Sequence, residues 1–176
     1  RDAVTLDDEH AEAMQALQNA RTAVNDINAD ILRQRRAAHP QEWRDVLPET
    51  VGVSTWVGYD LDGRSDISWQ DSFRLRLREK RDALTVYHQT IMDSGLVASS
   101  DAMADIAARL TEELTRTMAH IQSFDIGDAK ADSGDVIAAM NALTGAPGRL
   151  ISSRALAIEI HDIARSLPDD DMALAA

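Results

Sequence analysis

The chain has no cysteine, so disulfides and thiolate chemistry are excluded from its structure and function. An absence of cysteine fits the reducing cytoplasm, and we expect a cytoplasmic protein. Long apolar runs are also missing, because no stretch approaches the roughly 20 residues that span a bilayer. The sequence therefore predicts a protein that does not cross a membrane.

Positive charge is scarce as well. The net charge is −12, which argues against nucleic acid as a partner, since phosphate contacts need clustered Lys and Arg. Residues 33–81 are the exception, with ten basic and eight acidic residues against eight and twenty-two elsewhere. This segment is the most favourable place for an anionic ligand. The alternative is that its basic residues form a solvated helix face with acidic partners.

What the chain does have is helical periodicity. With 176 residues, 44% of them hydrophobic, it is long enough for one domain with a real core, and we expect a single helical domain over 1–176. No stretch alternates like a strand, so the pattern predicts an all-α fold. We expect an antiparallel bundle of about five or six helices with one long irregular loop at 49–68. The predicted helices cover about 6–36, 41–47, 69–94, 100–123, 135–143 and 153–167.

Two capping boxes mark helix starts, Thr5 with Asp8 and Ser68 with Asp71. Apolar residues at helical spacing predict a buried face on each long helix. On the first helix this face is expected to be core, and it consists of Met14, Leu17, Val24, Ile27 and Ile31. The acidic run 169–171 looks like the start of a further helix, which indicates a domain cut from a longer chain.

The most informative segment is the loop Ser54–Gly63, which combines one Trp, two Gly and two Asp. We expect Trp56 to be largely buried and to anchor the loop against the helices. Short carboxylates beside glycine stabilise tight turns by accepting hydrogen bonds from nearby backbone N–H groups. Asp62-Gly63 is therefore expected to make the turn and Asp60 to hold the loop.

This loop resembles the SWxGGDRDGNP signature of the phosphoenolpyruvate carboxylases. The matching residues are Trp56, Val57, Gly58, Asp60, Asp62 and Gly63. The chain departs from the signature where Tyr59 replaces the second Gly, Leu61 replaces the Arg, and Arg64-Ser65 replaces Asn-Pro. Leucine cannot donate the forked hydrogen bonds of arginine, so we expect Arg64 to be the residue to test for anion contact.

The resemblance implies that the chain is a helical portion of a carbon–carbon lyase. That enzyme converts phosphoenolpyruvate and bicarbonate to oxaloacetate and phosphate with Mg²⁺ or Mn²⁺, and it is expected to be a homo-oligomer. The implied substrate-site loop consists of Trp56, Gly58, Asp60, Asp62, Gly63 and Arg64. The family's catalytic and metal-binding residues belong to other segments, so we expect no catalytic residue, no bound metal and no activity in this chain alone.

Three other interpretations stay open. The first is a non-enzymatic helical module for partner binding, favoured by the acidic later helices. The second is a degenerate calcium loop, in which Asp60, Asp62, Asp66 and Asp71 occupy positions 1, 3, 7 and 12 of an EF-hand-like register. The third is that His39-Pro40 corresponds to the family's Thr-Ala-His-Pro-Thr motif, against the simpler interpretation of a helix end before proline.

Overall fold

The structure is a computed structural model, and it describes residues 4–48, 51–59, 67–124, 133–144 and 152–167. All regular structure in these ranges is helical, which confirms the predicted all-α class. The α-helices are α1 (Leu6–Ala38), α2 (Trp69–Asp93), α3 (Asp101–Phe124), α4 (Ser133–Thr144) and α5 (Ser153–Ser166). Short 3₁₀ turns cover Trp43–Asp45 and Leu96–Ala98. None of the helices in these ranges has the length and apolar character needed to cross a membrane.

The helix starts follow from side-chain caps. At α2, the Ser68 hydroxyl accepts a hydrogen bond from the Asp71 N–H at 3.2 Å, and the Asp71 carboxylate accepts one from the Ser68 N–H at 3.0 Å. The same reciprocal pair of bonds joins Thr5 and Asp8 at α1. Ser152 caps α5 in the simpler way, because its hydroxyl accepts from the Ala155 N–H at 3.0 Å. Both predicted capping boxes are confirmed.

The helices α2 and α3 form the centre of the fold. They are joined through the short connection 94–100 and pack along each other as a helical hairpin. The apolar faces of α2, α3 and α5 supply most of the core, although Trp69 and Met118 on these faces are exposed. The core is formed by Trp43 and Leu96 of the 3₁₀ turns and by Leu84, Ile91, Met103, Ile106, Ala107, Leu110, Leu156 and Leu167. A partly buried ion pair crosses the hairpin, with Lys80 Nζ 2.7 Å from the buried carboxylate of Glu113.

The prediction for α1 is wrong in one respect. Its apolar stripe is not core: Ile27 and Ile31 are exposed, while Met14, Leu17 and Val24 are only half-buried. The single buried residue of α1 is a histidine, His10. The stripe marks a preferred face of the helix, but the described part of the chain does not bury that face.

The predicted helix at 41–47 is reduced to the 3₁₀ turn Trp43–Asp45, which fastens the region after α1 to the end of α5. Trp43 is 3% exposed and packs in the core. The Arg44 guanidinium donates to the carbonyl oxygens of Ala164, Arg165 and Leu167 at the C-terminal end of α5, where carbonyl groups run short of backbone partners. An ion pair of 2.9 Å between Arg165 and Asp45 completes the junction.

Candidate functional site

The first half of the predicted loop is a turn that sits on the start of α2. Within it, the Tyr59 N–H donates to the carbonyl oxygen of Trp56 at 2.9 Å. Gly58 has a φ of 86°, in the left-handed region that favours glycine. The Ser72 hydroxyl, on α2, donates to the Gly58 carbonyl at 2.6 Å. The turn is therefore fixed to α2 through its own backbone. We call residues 56–59 the Trp56 turn.

Gly58 also lies too close to α2 for any other residue. A Cβ atom built on it would stand 2.3 Å from Cδ1 of Leu75, a fully buried side chain. No L-residue fits this place without a shift, because real Cβ contacts are far longer. Close packing against Leu75 thus explains why this chain has a glycine at position 58, one of the positions that match the family signature.

Tyr59 joins the turn to a cluster of polar side chains between α1 and α2. Its hydroxyl donates to Oε1 of Glu79 at 2.9 Å, and Nε2 of His10 lies 3.2 Å from the same oxygen. Arg76 lies with its guanidinium carbon 3.9 Å from the centre of the Tyr59 ring, and it pairs with the other carboxylate oxygen at 3.4 Å. We call these four residues the Glu79 cluster.

The electrostatics of the Glu79 cluster fix its protonation. Burial alone would raise the pKa of Glu79, but the hydrogen bonds from His10 and Tyr59 and the charge of Arg76 outweigh burial and hold that pKa below its usual value. Burial and the adjacent carboxylate raise the pKa of Tyr59 well above its usual range. At neutral pH the tyrosine hydroxyl is therefore a donor and the carboxylate an acceptor. This arrangement holds the loop in place rather than generating a nucleophile.

The Glu79 cluster does not fit a metal ion. The guanidinium of Arg76 covers the tyrosine ring, and a cation at the carboxylate would meet this positive charge. Asp71, the last position of the calcium register, is already used, because its two carboxylate oxygens serve the Ser68 cap and Arg74. The other calcium-register residues, Asp60, Asp62 and Asp66, lie outside the described residues.

The expectation for Trp56 is wrong in this structure. Its side chain is 81% exposed, so it does not anchor the turn. Gly58 and Tyr59 hold the turn instead. Of the other predicted loop residues, Asp60, Asp62, Gly63 and Arg64 lie outside the described residues, so their predicted roles stay predictions. His39 forms the C-terminal cap of α1, where its N–H donates to the carbonyl of Arg35 at 2.7 Å.

The basic residues of α2 have acidic partners. Asp7, in the first turn of α1, pairs with Arg74 at 3.2 Å and Arg78 at 3.3 Å. Arg76 pairs with Glu79, and Lys80 with Glu113. These contacts favour the interpretation of a neutralised helix face over that of an open anion site on α2.

Sequence reasoning missed the Glu79 cluster. Tyr59 is visible in the sequence only as a departure from the family signature, and His10 lies 69 residues from Glu79. The one available signal was the replacement of a glycine by a large side chain with a hydroxyl, which needs a partner when it is partly buried.

Comparison of the chain with profiles of known protein families, with curated proteins and with solved structures gives no match. The resemblance to phosphoenolpyruvate carboxylases therefore depends on the loop residues themselves.

Proposed function

We propose that the chain is the helical portion of an enzyme resembling the phosphoenolpyruvate carboxylases, and that the Trp56 turn borders its substrate site. In this proposal the complete enzyme is a cytoplasmic homo-oligomer that uses Mg²⁺ or Mn²⁺ to form oxaloacetate from phosphoenolpyruvate and bicarbonate. The metal would supply charge stabilisation for the enolate, and its ligands would lie outside this chain. The chain alone would then be inactive.

One observation carries this proposal. The Trp56 turn is held rigidly from behind by Ser72, Leu75 and Glu79, while the indole ring of Trp56 is turned outward. The exposed indole ring leaves a large apolar surface beside a fixed backbone, and covering such a ring is favourable. Such an arrangement suits a residue that is covered by a ligand or by another part of the enzyme.

The residues of this chain would act by positioning. Ser72 and Glu79 fix the backbone of the Trp56 turn, and Gly58 allows that backbone to approach α2 closely. The attachment of Tyr59 to Glu79 fixes the end of the Trp56 turn on α2. Orientation of this kind contributes to catalysis by reducing the entropy that the reacting groups must lose.

The test is a malate dehydrogenase-coupled assay of oxaloacetate formation on the full-length protein that contains this chain, with the chain alone as the negative control. We expect turnover only from the full-length protein. In that protein Trp56→Ala should raise the KM for phosphoenolpyruvate roughly tenfold, equivalent to about 1.4 kcal/mol. The free energy of unfolding of the chain should change by less than about 0.5 kcal/mol, because the ring is exposed.

Val51→Ala is the matched control, since it also truncates an exposed apolar side chain in the same segment. It should leave both KM and stability unchanged. A full-length protein without turnover, or a Trp56→Ala variant with an unchanged KM, would overturn the proposal.

The second candidate is a helical module that binds a partner protein. It is favoured by exposed apolar side chains on α1, Ile27 and Ile31, and by a mostly apolar groove of about 270 Å³ between α1, the Trp43–Asp45 turn and α5. Leu32 and Ile160 line that groove. If the full-length protein shows no turnover, Ile160→Glu provides the next test, because a charge in the groove should abolish partner binding.

A further inference from the structure

The first turns of α1 are attached to α2 by polar side chains. Asp7 reaches Arg74 and Arg78, and His10 reaches Glu79. His10 is the single buried residue of α1, so apolar packing contributes little to holding this end of the helix. Ion pairs at partly exposed positions are weak, typically about 0.2–1 kcal/mol each. The two Asp7 pairs therefore separate at little cost, whereas the contact between His10 and Glu79 is largely buried.

The contact between His10 and Glu79 also links α1 to the Trp56 turn, because both helix and turn contact one carboxylate oxygen. Oε1 of Glu79 accepts the hydrogen bond of Tyr59 and also contacts Nε2 of His10. Groups that share one acceptor influence each other's strength and geometry, because each polarises and orients the same carboxylate. A movement of His10 away from Glu79 would leave this carboxylate held by Tyr59 and Arg76 alone.

We propose that the first turns of α1 are a strap that controls the Trp56 turn. In the attached state, Asp7 holds α1 against Arg74 and Arg78, His10 orients the Glu79 carboxylate, and Tyr59 fixes the turn. In the released state the carboxylate loses one of its three partners, is oriented less firmly, and the turn opens more often. If the proposed function holds, detachment of α1 would thereby loosen the substrate site.

The test uses native-state hydrogen exchange of the Tyr59 amide in the full chain. This amide donates to the Trp56 carbonyl within the turn, so its exchange rate reports how often the turn opens. Asp7→Asn should increase the rate roughly threefold, as expected for weakened ion pairs of this kind. Glu12→Gln is the control, because it removes one charge from an exposed position one turn further along α1 and should leave the rate unchanged.

A double-mutant cycle separates coupling from general loosening. In a Tyr59→Phe background the link to Glu79 is missing, and Asp7→Asn should have no further effect on exchange. Circular dichroism should show the same helix content in all variants. An unchanged rate in Asp7→Asn, or an equal acceleration with and without the Tyr59 hydroxyl, would overturn the strap. The measurement involves no substrate, so its outcome is independent of whether the protein acts on phosphoenolpyruvate.

Discussion

Gly58 meets two separate demands at one residue. Its φ of 86° costs a residue with a Cβ roughly 1–2 kcal/mol, and the same Cβ would overlap Leu75. At Gly95 and Gly52 these two constraints do not occur together. Gly95 has a φ of 72° with open space around its Cβ position, and Gly52 has neither constraint.

This set of glycines gives a graded prediction for alanine substitution. Gly52→Ala should leave the free energy of unfolding almost unchanged. Gly95→Ala should lower it by about 1 kcal/mol, and Gly58→Ala by about 2–4 kcal/mol, because strain and overlap add. Chemical denaturation of the three variants provides the measurement. Equal losses at Gly58 and Gly95 would show that Leu75 moves aside without cost.

At the scale of elements, the carboxylate of Glu79 ties a loop to two helices, and its titration should be visible in stability. Its folded pKa is lowered from 4.5, so the ionised form stabilises the fold. This contribution is complete above the unfolded value of about 4.5, and it is lost as the pH falls through the folded pKa. The advantage in unfolding free energy of the wild type over Glu79→Gln should therefore shrink as the pH is lowered below about 4.5.

Urea denaturation of both proteins at several pH values measures this difference. Tyr59→Phe provides an intermediate case, because it removes one of the hydrogen bonds that lower the pKa of Glu79. A difference that stays constant from neutral to acidic pH would mean that the carboxylate titrates alike in the folded and unfolded chain.

The elements themselves could be predicted because their signals are local. Ser68 and Asp71 are three residues apart, and the apolar residues of α2, α3 and α5 recur within one or two turns. Whether a helix face is buried depends on residues that lie far away in the sequence. A stripe such as that of α1 shows which face of a helix prefers contact, but not whether another element covers it.

The candidate site also has features that a short stretch of sequence predicts and features that depend on distant residues. The position of the loop and the need for glycine at Gly58 follow from a short segment. The attachment of that loop by Tyr59 and His10 depends on α1 and α2 meeting at one carboxylate, with 69 residues between His10 and Glu79. Exposure of Trp56 could not be predicted either, because tryptophan is highly buried on average and its exposure depends on which elements reach it.

At the scale of the whole molecule, some elements are joined by residues close in sequence and others by residues far apart in sequence. The hairpin of α2 and α3 is formed by neighbours in sequence, whereas Arg44 meets the end of α5 across 120 to 123 residues. Contacts of such separation pay a large loop-closure entropy and form late. In refolding, we expect the helical circular dichroism of the whole chain to begin to recover before the fluorescence of Trp43, in a variant whose other tryptophans are replaced by phenylalanine. Identical rate constants for the two signals would contradict this order.

The junction of Arg44 with α5 also has a consequence during synthesis. A ribosome makes Trp43 more than one hundred residues before Leu167, its eventual neighbour in the core. At roughly 5–20 residues per second, about 6 to 25 seconds pass between the synthesis of this ring and that of the helix end that covers it. For that interval the nascent chain exposes the Trp43 ring, and transiently exposed hydrophobic surface of this kind promotes aggregation, which chaperones counteract.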